Sequence, residues 1–326
     1  MKRYFRLLVI LVIITSLTIG CTKDTNINKE LKTISFAYQD GTPALTAAKL
    51  ALENETLDEY IGIDYEMVKS PDLLVSKILK EEADIAIVPS NLAAQAFNKG
   101  LSYEVVGTSV WGSLYLTSTE DINNIEELKG KEIHSFGKGL TPDLVFTYIL
   151  NKNGIDSVKD VNISYLNAAS EVGPIFLSGK SNLAILAEPL LTTVMMKKED
   201  AKIVFDLNKE WERATGAQNG FPQASLVIKR DLIESNPEFV ESFISAYEES
   251  RKWAGENKEK LAEYAEKLEI SVNKETIEKG ILWNNIEIFG IEDCKEEYKI
   301  YYNAILDFAP DFIGGKIPDE KLYFEK

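Results

Sequence analysis

Two hydrophobic periods alternate along this chain: short runs with a period of two, and longer stretches with apolar residues three and four apart. Thr33-Ile34-Ser35-Phe36-Ala37-Tyr38 alternates as a strand does, and the turn Asp40-Gly41-Thr42-Pro43 puts a proline at the start of a helix running to about Asn54. Gly62 to Val68 predicts a second strand, and Pro71 to Glu82 a helix with Leu73, Leu74, Ile78 and Leu79 on one side. Asp84-Ile85-Ala86-Ile87-Val88-Pro89-Ser90-Asn91 is an apolar run halted by Pro-Ser-Asn. It reads as a buried parallel strand whose carboxyl end opens into a helix N-cap, with Leu92 to Asn98 as the helix. Three strand–helix repeats before residue 110 predict an α/β lobe with a mostly parallel sheet.

Tyr103 to Thr108 and Gly112 to Ser118 are strand-like, and the pattern then restarts. Glu132 to Phe136, Val161 to Leu166 and Leu183 to Ala187 predict strands; Thr141 to Asn153, a segment ending at Ser178, and Pro189 to Lys198 predict helices. Beyond Lys202 to Asp206 lies an irregular stretch, Ala214 to Pro222, and Ala224 to Lys229 is again a strand. The remainder is mostly helical. Asn236-Pro237 opens a helix with Phe239, Val240, Phe243, Ile244 and Tyr247 at helical spacing, and Cys294 to Ala309 repeats the design with Tyr298, Tyr301, Tyr302, Ile305 and Phe308. Such periodic aromatics are expected in the core. No period of 20–50 residues recurs, which excludes a solenoid.

With 326 residues the chain exceeds one ordinary core and suits two lobes. Its start carries a different signal. Met1-Lys2-Arg3-Tyr4-Phe5-Arg6 is cationic, Leu7 to Ile14 is an unbroken apolar run, and Thr18-Ile19-Gly20-Cys21 brings small or apolar residues up to a cysteine. The run is far short of the ~20 residues a spanning helix needs, so it predicts an export signal rather than a membrane span. The junction resembles the lipobox of bacterial lipoproteins, with Thr18 where leucine is commonest. The resemblance implies a signal peptide over residues 1–20 and lipidation of Cys21 as the first mature residue. The protein would then be anchored by acyl chains on the extracytoplasmic face of the membrane and touch it through that anchor alone. An ordinary cleaved signal with an incidental cysteine is the alternative. Residues 21–30 are polar and aperiodic, as a flexible tether is.

The formal net charge is −16, or −19 once Lys2, Arg3 and Arg6 leave with the signal, which argues against a nucleic-acid partner. Only Cys21 and Cys294 are present, so no disulfide is expected after lipidation, and Cys294 is expected as a half-buried small residue. Catalytic groups are scarce. His134 is the sole histidine, zinc-type His or Cys pairs are missing, and neither a P-loop nor a Gly-x-Gly-x-x-Gly turn occurs. No catalytic residue, metal or cofactor is predicted.

The chain is instead rich in loops of small, amide and hydroxyl residues at strand ends. Asp40-Gly41-Thr42-Pro43, Pro89-Ser90-Asn91 and Val110-Trp111-Gly112-Ser113 belong to the first lobe, Gly137-Lys138-Gly139-Leu140-Thr141-Pro142 and Glu188-Pro189 to the second. Ligands of α/β sheets sit beyond such strand ends, where helix N-termini turn free N–H groups inward. Thr42, Ser90, Asn91, Trp111, Gly139, Thr141 and Glu188 are the candidate contacts, with Asn219 and Phe221 from the irregular stretch. Glu188 is either a ligand partner or a helix N-terminal charge; Trp111 either stacks on a flat ligand or fills a hinge.

These loops, with Leu128-Lys129-Gly130-Lys131-Glu132-Ile133 and Ser178-Gly179-Lys180 leading into Leu183-Ala184-Ile185-Leu186-Ala187-Glu188-Pro189, resemble the substrate-binding proteins of bacterial ABC transporters. The resemblance is to the nitrate, sulfonate and taurine type, whose superfamily includes carriers of the thiamine pyrimidine precursor. It implies a two-lobed type II periplasmic-binding-protein fold, α/β, with one lobe from residues 31–117 plus 224–326 and the other from 118–223. Crossings are expected near Thr117-Ser118 and Gln223-Ala224. It also implies a monomer that closes on a small-molecule ligand and docks on ABC permease subunits. The ligand would be a nitrogen-containing heterocycle or a small sulfonate or other anion. The candidate loops contain Lys138 as their one cation and no arginine; with Trp111 and Glu188 this favours a flat, nitrogen-containing or neutral ligand. Two rivals share the fold: a ligand-free surface scaffold or adhesion protein, and the pyrimidine-precursor synthases. The latter depend on a cysteine-rich, iron-linked motif and an active-site histidine.

Overall fold

The computed structural model describes residues 32–53, 57–280 and 288–325. Cys21, the signal segment and the tether lie outside the described residues. In the first part of the chain, Lys32–Gln39 (β1), Ile61–Val68 (β2), Ile85–Pro89 (β3) and Tyr103–Trp111 (β4) are strands joined by helices Thr42–Glu53 (α1), Pro71–Leu79 (α2) and Ser90–Asn98 (α3). The chain then leaves for a second sheet made of Leu114–Ser118 (β5), Glu132–Phe136 (β6), Asn162–Leu166 (β7), Leu183–Ala187 (β8) and Lys202–Asp206 (β9). Its helices are Thr141–Lys152 (α4), Ala169–Leu177 (α5), Leu190–Lys197 (α6) and Leu207–Thr215 (α7). Pro222–Lys229 (β10) returns to the first sheet, and among the described residues five α-helices follow: Arg230–Ser235 (α8), Pro237–Glu256 (α9), Lys258–Lys267 (α10), Lys274–Lys279 (α11) and Ile291–Phe308 (α12).

The strand orders are β2-β1-β3-β10-β4 and β7-β6-β8-β5-β9. Both sheets are mixed rather than mostly parallel. β1 and β3 run parallel, with Phe36 opposite Ile85, as do β6 with β7 and β8. β10 is antiparallel to β3 and β4, and β5 to β8 and β9. The reason is connectivity. A strand arriving from the other sheet enters at the end where its neighbours finish, so it must run against them.

The hand-overs fall at Gly112–Ser113 and just before Pro222, a few residues ahead of the expected crossings, because β5 already pairs with β8 from Leu114. Strand-like patterning on both sides hides such a boundary in sequence. The two crossings run side by side, with the Gly112 N–H donating to the Phe221 carbonyl at 3.0 Å. Gly112 has no alternative there: a Cβ would stand 2.7 Å from the Phe221 ring.

Helix α7 falls in a segment for which no element is predicted. Asp206 starts it by accepting from the Asn208 and Lys209 N–H groups, and Leu207 and Trp211 are its buried face. In α2, Leu74 and Ile78 are buried at i, i+4, whereas Leu73 is 55% and Leu79 37% exposed, so the expected four-residue face is only half apolar contact. Cys294 is fully rather than half buried, its thiol pushed up to about 11 chiefly by burial. One buried cluster, including Trp111, Leu114, Trp211, Phe221 and Tyr301, is continuous through the crossings into both sheets. A second covers the opposite face of the first sheet under α1, α9 and α10. Among the described residues no helix is long and apolar enough to cross a membrane.

Candidate functional site

Where the carboxyl ends of the two sheets face each other they enclose a cavity of about 350 Å³. Its walls come from the ends of β1 (Gln39, Asp40), β3 (Ile87 to Pro89), β6 (Phe136) and β8 (Ala187, Glu188), and from the first turns of α1 and α6. The lining is largely apolar, with five prolines (Pro43, Pro89, Pro142, Pro174 and Pro189) that hold its shape. Polar groups sit among them, as in most small-molecule sites.

Two predicted residues meet across this cavity. The Thr42 hydroxyl, on the first lobe, donates to the Glu188 carbonyl on the second at 2.7 Å. Glu188 itself is 4% exposed, and its carboxylate accepts from the Thr192 hydroxyl at 2.9 Å and the Thr192 N–H at 3.2 Å. It therefore caps its own helix, α6, as the helix-terminus reading expects, from a position on the cavity wall. Burial raises its pKa above the ordinary value, against the Thr192 bonds and the positive charge of Lys258. Nearby, Thr193 of α6 shares a 2.8 Å hydrogen bond with Thr276 of α11, a second tie between the lobes. Asp40 is likewise committed: its carboxylate accepts from the N–H groups of Gly41 at 2.8 Å and Ser271 at 2.9 Å.

The other seven predicted contacts lie behind the cavity, not on its wall. Asn91, Gly139 and Thr141 form one cluster. The Asn91 amide donates to the carbonyls of Gly139 (3.0 Å) and Phe312 (3.1 Å), and Thr141 donates to Asn91 Oδ1 at 3.4 Å and shares a 2.8 Å bond with Tyr301. This cluster bolts the lobes together near the hinge. Ser90 is buried in the first lobe, bonded to Ser225 at 2.7 Å. Trp111 is buried, its indole N–H donating to the Ile288 carbonyl at 2.8 Å, so geometry favours the hinge-filling reading over stacking. Asn219 donates to Glu297, and Phe221 packs on Trp211 with ring centroids 5.9 Å apart. Lys138 lies over the Tyr165 ring, 5.5 Å from its centroid, away from the cavity wall.

Seven polar lining residues escaped the sequence reading: Gln39, Lys69, Ser170, Thr193, Lys197, Gln223 and Ser271. Lys69 follows the end of β2, and the positional rule used for β1 and β3 finds it when applied there as well. Lys197 ends α6, where no local signal points to a cleft. Among the described residues neither lysine has an ion-pair partner. The cavity thus offers N–H donors at its edges while its two carboxylates are already hydrogen-bonded.

Known proteins share this architecture. A structure described as an ABC transporter from Parabacteroides distasonis matches at TM-score 0.72 and 26% identity, covering 90% of this chain and 99% of that one. The periplasmic aliphatic sulphonate binding protein SsuA from Escherichia coli matches at TM-score 0.69 and 14% identity over 90% of this chain and 92% of its own, a likeness of fold alone. YtlA of Bacillus subtilis (strain 168), described as a candidate binding protein, is 26% identical over 206 residues, which are 60% of this chain and 58% of that relative's length. The family profile described as NMT1/THI5 like matches residues 59–260, more than half of the chain and both crossings between the sheets, and the chain belongs to the NMT1/THI5-like family.

Proposed function

We propose that the protein is the solute-binding component of an ABC importer. It captures a small organic molecule by hinge closure and delivers it to a permease, while Cys21 carries an acyl anchor that keeps it on the extracytoplasmic face of the membrane. The observation that carries this reading is the cavity between the strand ends, bridged by Thr42 and Glu188 from opposite lobes. Family membership and the shared fold support the same reading. The apolar wall with N–H donors at its edges suits a small heterocycle or organic anion that carries hydrogen-bond acceptors.

The synthase reading has less to stand on. His134 lies in the middle of β6 rather than on the cavity wall, and Cys294, in the first turn of α12, is buried against Thr108, so neither faces the cavity. The test is a thermal-shift panel of taurine, butanesulfonate, nitrate, bicarbonate, 4-aminopyrimidine, adenine and riboflavin. A ligand at 100 times its Kd adds about 2.7 kcal/mol of stability. At least one class should raise the melting temperature and reduce the radius of gyration; a panel that moves neither sinks the binding reading.

A further inference from the structure

The pairing of β10 with β4 is irregular at its cavity end: the register shifts between Pro222 and Ala224 and shifts back between Ala224 and Ser225. Gln223 lies within that irregular stretch, beside the return crossing. It is half-buried and stands on the cavity wall.

The amide has only one possible orientation. Gln223 Oε1 accepts from the backbone N–H of Ser113 at 2.9 Å and from the Ser113 hydroxyl at 3.4 Å. A backbone N–H can only donate, so the atom facing it must be the carbonyl oxygen. The NH₂ end is then the free one, and Nε2 makes no hydrogen bond to any described residue. One end of this side chain grips the outgoing crossing while the other is left as a donor on the cavity wall.

We propose that Gln223 is a ligand-contact residue: its NH₂ donates to an acceptor atom of the bound molecule, a ring nitrogen, carbonyl, carboxylate or sulfonate oxygen. Because the same amide holds Ser113, the bound molecule is read at the hinge, where both crossings pass. This inference rests on the binding function proposed above and assigns a selectivity to it: acceptor-bearing molecules are retained, and molecules with only donors at that position are rejected. Neither Gln39, Lys69 nor Lys197 has an equivalent tether.

Gln223→Glu separates the two roles, since a carboxylate oxygen still accepts from Ser113 N–H but nothing remains to donate. Amide hydrogen exchange at Ser113 and isothermal titration with taurine, butanesulfonate, 4-aminopyrimidine and adenine are measured on wild type, Gln223→Glu and Gln223→Leu. In Gln223→Glu, Ser113 protection should persist while every probe that wild type binds weakens roughly tenfold or more. For anionic probes the loss should hold in high salt, where long-range repulsion is screened. Gln223→Leu should lose both protection and affinity. Wild-type affinity in Gln223→Glu overturns the assignment while leaving the binding function intact. If none of the seven panel molecules binds even wild type, the binding function falls and this contact with it.

Discussion

Asn91→Asp probes the bolt between the lobes most sharply, because it changes one atom and no shape. Asn91 is 1% exposed, and its amide nitrogen donates to the carbonyls of Gly139 and Phe312 at 3.0 and 3.1 Å. Replacing that nitrogen by oxygen sets an acceptor against two acceptors. Two net hydrogen bonds of about 1 kcal/mol each are lost, and two buried carbonyls go unpaired. An ionised carboxylate in that position adds a desolvation cost of several kcal/mol unless it takes up a proton. A protonated carboxyl donates once, so it restores one of the two bonds. The expected loss is therefore about 3 kcal/mol or more at pH 7.5 and about half of that at pH 5. The sign follows from the fold holding the new carboxyl above its unfolded pKa, so that stability rises as pH falls through that window. Urea unfolding at the two pH values measures both, and Asn91→Ala, which creates no charge, should lose a similar amount at either pH. A variant Asn91→Asp within 0.5 kcal/mol of wild type, or equally weak at both pH values, would refute the donor assignment and the bolt built on it.

Glu188 is a native carboxyl with the same sign, held above its ordinary value of 4.5 mainly by burial. Its proton is bound in the fold at pH values where the unfolded chain has lost it, so the stabilisation is complete below the unfolded pKa and disappears as pH rises through the folded one. Glu188→Gln keeps an acceptor for Thr192 and removes this titration; its melting temperature at pH 7 should equal or exceed that of wild type, with the gap narrowing towards pH 4.5. A gap that widens on acidification would contradict the burial of the charge. At the other end of the chain, Cys21→Ala should release the protein from membranes or leave the precursor uncleaved, as fractionation and gel migration report. A variant that fractionates and migrates like wild type rejects the acyl anchor.

The amino-acid sequence by itself determined what depends on neighbours a few residues apart. The apolar runs Glu132–Phe136 and Leu183–Ala187 are strands with the bounds their patterning predicts, and the Pro-initiated helices start where proline and the turn residues put them. Period and punctuation are local, so they survive without knowledge of the partner. Two sheets joined in an α/β fold follow from the restart of that alternation. Tertiary structure alone decided which strand-end residues reach the cavity. Asn91, Trp111 and Thr141 obey the same positional rule as Thr42 and Glu188, yet the way the lobes pack turns the first three towards Phe312, Ile288 and Tyr301. A strand end has two faces and a loop several directions, and only the sister lobe selects among them. Gln223 is the extreme case: its amide is held by the Ser113 N–H, 110 positions away in sequence, a partner it lacks until both crossings lie side by side.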